Sequence, residues 1–213
     1  MKKVFILLLI LLLCVGCTRI DNIENLDLIV DSVLKNQDKP ANTTSLGYKY
    51  YLPIGVSKTY DKDYNQKFKV DDNYIYLYAD VVSYYHQNAL NFDETEDNAY
   101  YYKKINNNGK TGYIKIQKEE DEQYYIKIIY NYSKIESYVE QSEINKILTN
   151  SMIILDSIDY NEEIIKNIID DEKSIGTDKE YKIDKPDDTE SKFSEYLSEY
   201  VQEEEPSPDL PEY

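Results

Sequence analysis

The pair Asn108-Gly109, set between the β-rich segments YYYKKI and TGYIKIQ, is the strongest local constraint on how this chain folds. Asparagine and glycine accept the left-handed dihedrals of a two-residue hairpin turn, so the pair predicts two adjacent antiparallel strands. KEEDEQ then supplies a second turn into YYIKIIYNY. In that run Ile126, Ile128 and Tyr130 fall on one face, and Tyr125, Lys127 and Ile129 on the other. Three consecutive strands joined by tight turns make an antiparallel meander.

Upstream, YKYYLPIGV reads as an interrupted strand from Tyr48, with Pro53 demanding an edge or a bulge. QKFKV alternates through Phe68 and Val70, and Asp71 to Asn73 turn the chain into YIYLYADVVSYY. That run, Tyr74 to Tyr85, is long for one strand and is expected to bend near Ala79-Asp80. The row Tyr74, Tyr76, Tyr78, with Tyr84 further along, is expected to pack under a helix rather than to form an open stacking platform. NFDETEDN reads as a wet, charged loop.

Helical periodicity appears on both sides of these strands. DNIENLDLIVDSVLKNQ spaces Leu26, Ile29, Val30, Val33 and Leu34 along one face, with Asp21 or Asn22 as cap and Pro40 beyond the end. ANTTSLG follows as a linker. After the strands, Ile144, Ile147, Leu148, Ser151 and Leu155 line a second stripe, and EEIIKNII fits either a helix or a strand. The expected fold class is α+β, a single small domain over 48–169 in which one or two helices pack an antiparallel meander. The segment 17–47 carries the N-terminal helix and linker.

The last 44 residues, 170–213, hold 16 acids against five lysines, which favours a disordered acidic tail. One island differs. Phe193, Tyr196, Leu197, Tyr200 and Val201 share a stripe, so a short helix over 189–203 is expected to dock on the domain or a partner.

Val4 to Val15 is an unbroken apolar run of twelve residues behind Lys2 and Lys3. As a helix it would be about 18 Å long, against about 30 Å of bilayer hydrocarbon, which suits the core of a signal peptide better than a membrane span. It leads into LLLCVGCTR, which holds both cysteines of the chain, Cys14 and Cys17. Their C-x-x-C spacing would need to open a helix after a strand to work as a redox pair, whereas Cys14 sits inside the apolar run. The segment resembles the signal peptide of bacterial lipoproteins, in which a small residue, here Gly16, precedes the modified cysteine, here Cys17. It departs from that pattern three positions before the cysteine, where Cys14 stands in place of the usual leucine. The resemblance implies that residues 1–16 are removed, that Cys17 carries the lipid, and that the protein is a lipoprotein at the extracytoplasmic face of the cell membrane. Two acyl chains are the smallest stable lipid anchor.

Losing Lys2 and Lys3 with the leader would take the formal charge from −17 to −19. Such a chain is repelled by nucleic acid and by anionic lipid alike, so no nucleic-acid partner is expected and the anchor must be the lipid. No catalytic residue, metal set or cofactor is assigned. His86 is the single histidine and has no recognisable nucleophile motif beside it. Asp61, Asp63 and Asn65 match the first oxygen positions of an EF-hand loop, but Gln66 replaces its glycine and Asp72 its final glutamate. Asp93, Glu94, Glu96 and Asp97 are expected to stay solvated. The expected function is non-catalytic binding or assembly with a protein or cell-wall partner, the sequence leaning away from an enzyme. The alternative is a tethered cell-wall hydrolase using His86, and the third reading is a solute-binding lipoprotein.

Overall fold

A computed structural model describes residues 23–36, 39–62, 64–90, 92, 94–120 and 122–175. Cys14, Cys17, Asp63, Asp93 and the tail stripe lie outside the described residues. The expected α+β class holds. Ten strands form two antiparallel sheets, and four helices pack with them, among the described residues. No described helix is long and apolar enough to cross a membrane.

The smaller sheet joins β1 (Thr43–Ser45), β2 (Tyr48–Tyr50) and β10 (Asp159–Tyr160) in the order β1-β2-β10. β1 lies within the segment expected as a linker. The larger sheet contains β3 (Val56–Lys62), β4 (Asn65–Val70), β5 (Asn73–Ala79), β6 (Tyr101–Asn107), β7 (Lys110–Lys118), β8 (Tyr124–Tyr130) and β9 (Ser133–Val139). Its order is β3-β4-β5-β9-β8-β7-β6. Two meanders thus meet edge to edge where β5 pairs with β9, Tyr76 opposite Glu136 and Tyr78 opposite Lys134. Pro53 falls in the loop between β2 and β3, where it removes no ladder donor.

The hairpin at Asn108-Gly109 has φ of 51° and 81°, the paired left-handed geometry the sequence demands. A second tight turn, Asn131-Tyr132, adopts φ of 50° and 62° without glycine. It adds β9 to the meander, a strand the periodicity of ESYVEQ does not announce. Tyrosine in this region costs on the order of 1–2 kcal/mol. The side chain recovers part of that cost by setting its ring edge-on against Tyr84 at 5.7 Å and donating its hydroxyl to the Asn88 carbonyl.

Helices α1 (Ile23–Lys35) and α3 (Ile144–Asp156) cover one face of the large sheet and pack against each other. Leu26, Val30 and Val33 of α1 recur on one side and are buried, as are Ile147, Leu148, Met152 and Leu155 of α3. Facing them are Phe68, Ile75, Leu77, Ile114, Ile116, Ile126, Ile128 and Ile135, all fully buried. Lys103 ties the edge strand β6 to α1 through Asp27 and Asp31 at 2.9 and 2.8 Å. Tyrosine also serves this interior. Tyr48, Tyr50 and Tyr160 form a ring ladder with centroid spacings of 5.9 and 6.1 Å, and Tyr84 stacks on Tyr160 at 4.0 Å.

The expected bend at Ala79-Asp80 is a full change of element. β5 ends there and α2 (Val81–Tyr85) begins, with the Asp80 carboxylate accepting the Ser83 amide at 2.8 Å. EEIIKNII resolves as part of α4 (Glu162–Ile175), which buries Ile165 and Ile169 and packs against α2.

Candidate binding surface

The second face of the large sheet sets the candidate site. Opposed residues on antiparallel strands share a face, so the pairings put Tyr74, Tyr76 and Tyr78 beside Lys69, Lys67 and Asn65 on one side and Glu136 and Lys134 on the other. They lie opposite the helices. The tyrosine row does not pack under a helix, contrary to expectation, because Ile75, Leu77 and Ala79 take that role at 0% exposure. Tyr84 is not in the row at all; it belongs to α2. Following the register outward, the strands place seven lysines on this face (62, 67, 69, 104, 115, 127 and 134) against one carboxylate, Glu136. A chain of net charge −17 therefore carries a cationic, tyrosine-rich sheet face.

Half of this face is covered by the chain itself. Between α2 and the far edge strand β6, Phe92 and Glu94 lie over β7 and β8. Phe92 sets its ring edge-on against Tyr113 at 5.2 Å, and Tyr102 donates its hydroxyl to the Glu94 carbonyl at 3.0 Å. Glu94 bridges Lys115 at 2.8 Å and Lys127 at 3.1 Å. The acidic patch is thus not a uniformly wet loop, since Glu94 turns down onto two lysines that face each other across β7 and β8. Burial works to raise its carboxyl, and the hydrogen bonds from Lys115 and Lys127 outweigh it, so Glu94 titrates below the ordinary glutamate range. Burial pushes the Lys127 ammonium down, against the pull of Glu94.

The other half, on β3, β4, β5 and β9, is more open: Lys62, Lys69, Tyr74 and Tyr138 are exposed there, while Glu136 is buried. Lys67 lies over the Tyr74 ring at 4.0 Å and the Tyr76 ring at 5.4 Å. Tyr125 packs on Tyr138 with ring centroids 4.8 Å apart and donates its hydroxyl to Glu136, which Lys134 also pairs at 3.3 Å. Burial first, and then the Glu136 charge, push the Tyr125 hydroxyl far above its ordinary range, so it remains a donor. Tyr74 and Tyr138 are 38% and 55% exposed. They meet Tyr76 in an open groove of about 640 Å³, rimmed by Asp71, Asp72, Glu140 and Glu143, with Lys146 pairing Asp71 and Glu143. Chemically the arrangement offers flat rings with hydroxyls at their edges and lysines beside them. This suits contact with a polar surface or polymer through stacking and hydrogen bonds.

The remaining sequence candidates fall elsewhere. His86 is exposed at the end of α2, its ring edge-on to Tyr85 at 5.3 Å. Asp61 pairs with Lys58 and accepts the Ser45 hydroxyl at 3.2 Å, and Asn65 opens β4, so these positions belong to a β-hairpin. Among the described residues no group of three or more His, Cys, Asp or Glu is placed to hold a metal ion. The chain matches no protein-family model, no curated protein and no solved structure.

Proposed function

We propose that the chain is a lipid-anchored extracytoplasmic protein whose domain binds or assembles with a protein or cell-wall partner, without catalysis, through the open half of the outer sheet face. The observation that carries this reading is the pair of exposed rings, Tyr74 and Tyr138, held beside Lys67 and Lys69 on the sheet while the other half of the same face is covered. Large aromatic rings exposed together on a well-packed scaffold are the usual anchors of contact surfaces. The tether comes from the Gly16-Cys17 junction, which the lipoprotein resemblance makes the lipidation point.

A photoreactive residue at position 138, introduced in intact cells, is expected to crosslink to an extracytoplasmic macromolecule. The same residue at Glu163, exposed on α4, is expected to give little product. Tyr74→Ala with Lys67→Ala should abolish the product at 138. Being surface changes, they should cost about 1 kcal/mol of stability or less. Equal yields at both positions, or a product at 138 indifferent to those substitutions, would remove the surface from the proposal.

A further inference from the structure

The open half of the outer face has a ready complement in the chain's own C-terminus. Residues 176–213 carry thirteen acids against four lysines and include the stripe of Phe193, Tyr196, Leu197, Tyr200 and Val201, with Glu195 and Glu199 beside it. We infer that residues 189–203 dock in cis on the open half of the outer face, the stripe lying on Tyr74 and Tyr138 and its glutamates beside Lys67 and Lys69.

Charge selects this surface. Lys67 and Lys69 make no salt bridge among the described residues, and they sit on the cationic face of an otherwise acidic chain. An acidic segment is drawn there and repelled from most of the remaining surface. The stripe itself calls for cover, because an isolated helix of 15 residues is marginal in water and gains its stability from packing one face. Dimensions agree. Such a helix is about 22 Å long, and four adjacent strands span about 14 Å between outer axes before side chains are added.

Tether length is not limiting. The described fold ends at α4, which packs against α2, and α2 leaves the end of β5, one of the strands of the open half. The thirteen residues 176–188 can extend to about 43 Å. A covalent connection of this length keeps the segment at an effective concentration on the order of millimolar near the domain. The docked segment and an external partner would compete for one surface. The inference stands on the chain's own charges and holds whether or not such a partner exists.

Residues 18–213 contain no cysteine, so an introduced pair reports proximity cleanly. Under mild oxidation, Tyr138→Cys with Tyr200→Cys is expected to form a monomeric disulfide at least about tenfold faster than Ile54→Cys with Tyr200→Cys. Ile54 is 96% exposed in the loop between β2 and β3. Glu195→Lys with Glu199→Lys, which leaves the described domain untouched, should erase that advantage. Adding Lys67→Glu and Lys69→Glu should restore it. Equal rates at positions 138 and 54, a rate blind to the tail substitutions, or disulfides found only between chains would each overturn docking in cis.

Discussion

Glu94→Gln is expected to lower the unfolding free energy by about 3 kcal/mol, a large effect for one residue in a loop. The side chains of Lys115 and Lys127 are only 11% and 8% exposed, and they stand opposite each other on neighbouring strands. Each depends on Glu94, while Lys127 also has Glu136 directly across β9. Neutralising Glu94 leaves two adjacent, poorly hydrated cations, and removing one partner of a buried pair costs more than the pair itself contributes. Urea unfolding measures the loss. Glu94→Gln combined with Lys115→Met should recover part of it, since one of the two stranded charges is gone while Lys127 keeps Glu136 beside it.

The pH dependence has a definite sign. The folded-state pKa of Glu94 is depressed, so its contribution is fully present above the ordinary glutamate value of about 4.3 and is lost as pH falls through the lower folded value. The gap between wild type and Glu94→Gln should therefore be constant near neutrality and close in acid. A loss below about 1 kcal/mol at neutral pH would mean that the bridge behaves as a surface pair.

Gly112→Ala is expected to cost at least about 3 kcal/mol, although it adds a single methyl group. Gly112 sits in β7 between Ile105 of β6 and Tyr130 of β8. A Cβ there would lie 2.0 Å from the Ile129 carbonyl oxygen and 2.8 Å from the Tyr130 Cα. These are backbone atoms of a central strand and cannot swing aside. Glycine is needed at this position for close approach, not for a left-handed dihedral. Relief requires β7 and β8 to part, which strains the pairing on either side. Gly109→Ala, with open space around its Cβ, should cost only the left-handed strain of about 1–2 kcal/mol. Thermal or urea unfolding of the two variants orders them. A milder loss at Gly112 than at Gly109 would contradict the close approach of the strands.

Much of this architecture is legible in residue order because local signals and tertiary demands agree. Asn108-Gly109 forms its hairpin, the stripe from Ile144 to Leu155 becomes α3, and Ala79-Asp80 breaks the long run where the capping carboxylate stands. What stayed illegible has physical causes. β9 follows a turn whose second residue is Tyr132, so no glycine marks it, and the left-handed backbone is supported by contacts with Tyr84 and Asn88 that are distant in sequence.

The tyrosine row faces away from the helices, opposite to the expectation. Its intervening residues, Ile75, Leu77 and Ala79, carry no polar atoms that need partners, and they outcompete Tyr74, Tyr76 and Tyr78 for the dry interior. That signal was present in the alternation itself. The role of Glu94 needed the register: only when β7 and β8 are aligned do Lys115 and Lys127 become neighbours that call for a carboxylate. The open half of the outer face is likewise a product of register, since its lysines come from strands far apart in the chain.

The proposal that this domain works at the membrane surface depends on what happens at Cys17. Intact-mass and N-terminal peptide mass measurements on protein extracted from membranes test it most directly. The expected polypeptide begins at Cys17, lacks residues 1–16, and carries the added mass of a two-chain lipid on the sulfur. A chain that retains Met1 to Gly16, with an unmodified thiol at Cys17, would contradict the tether and return both cysteines to an open question.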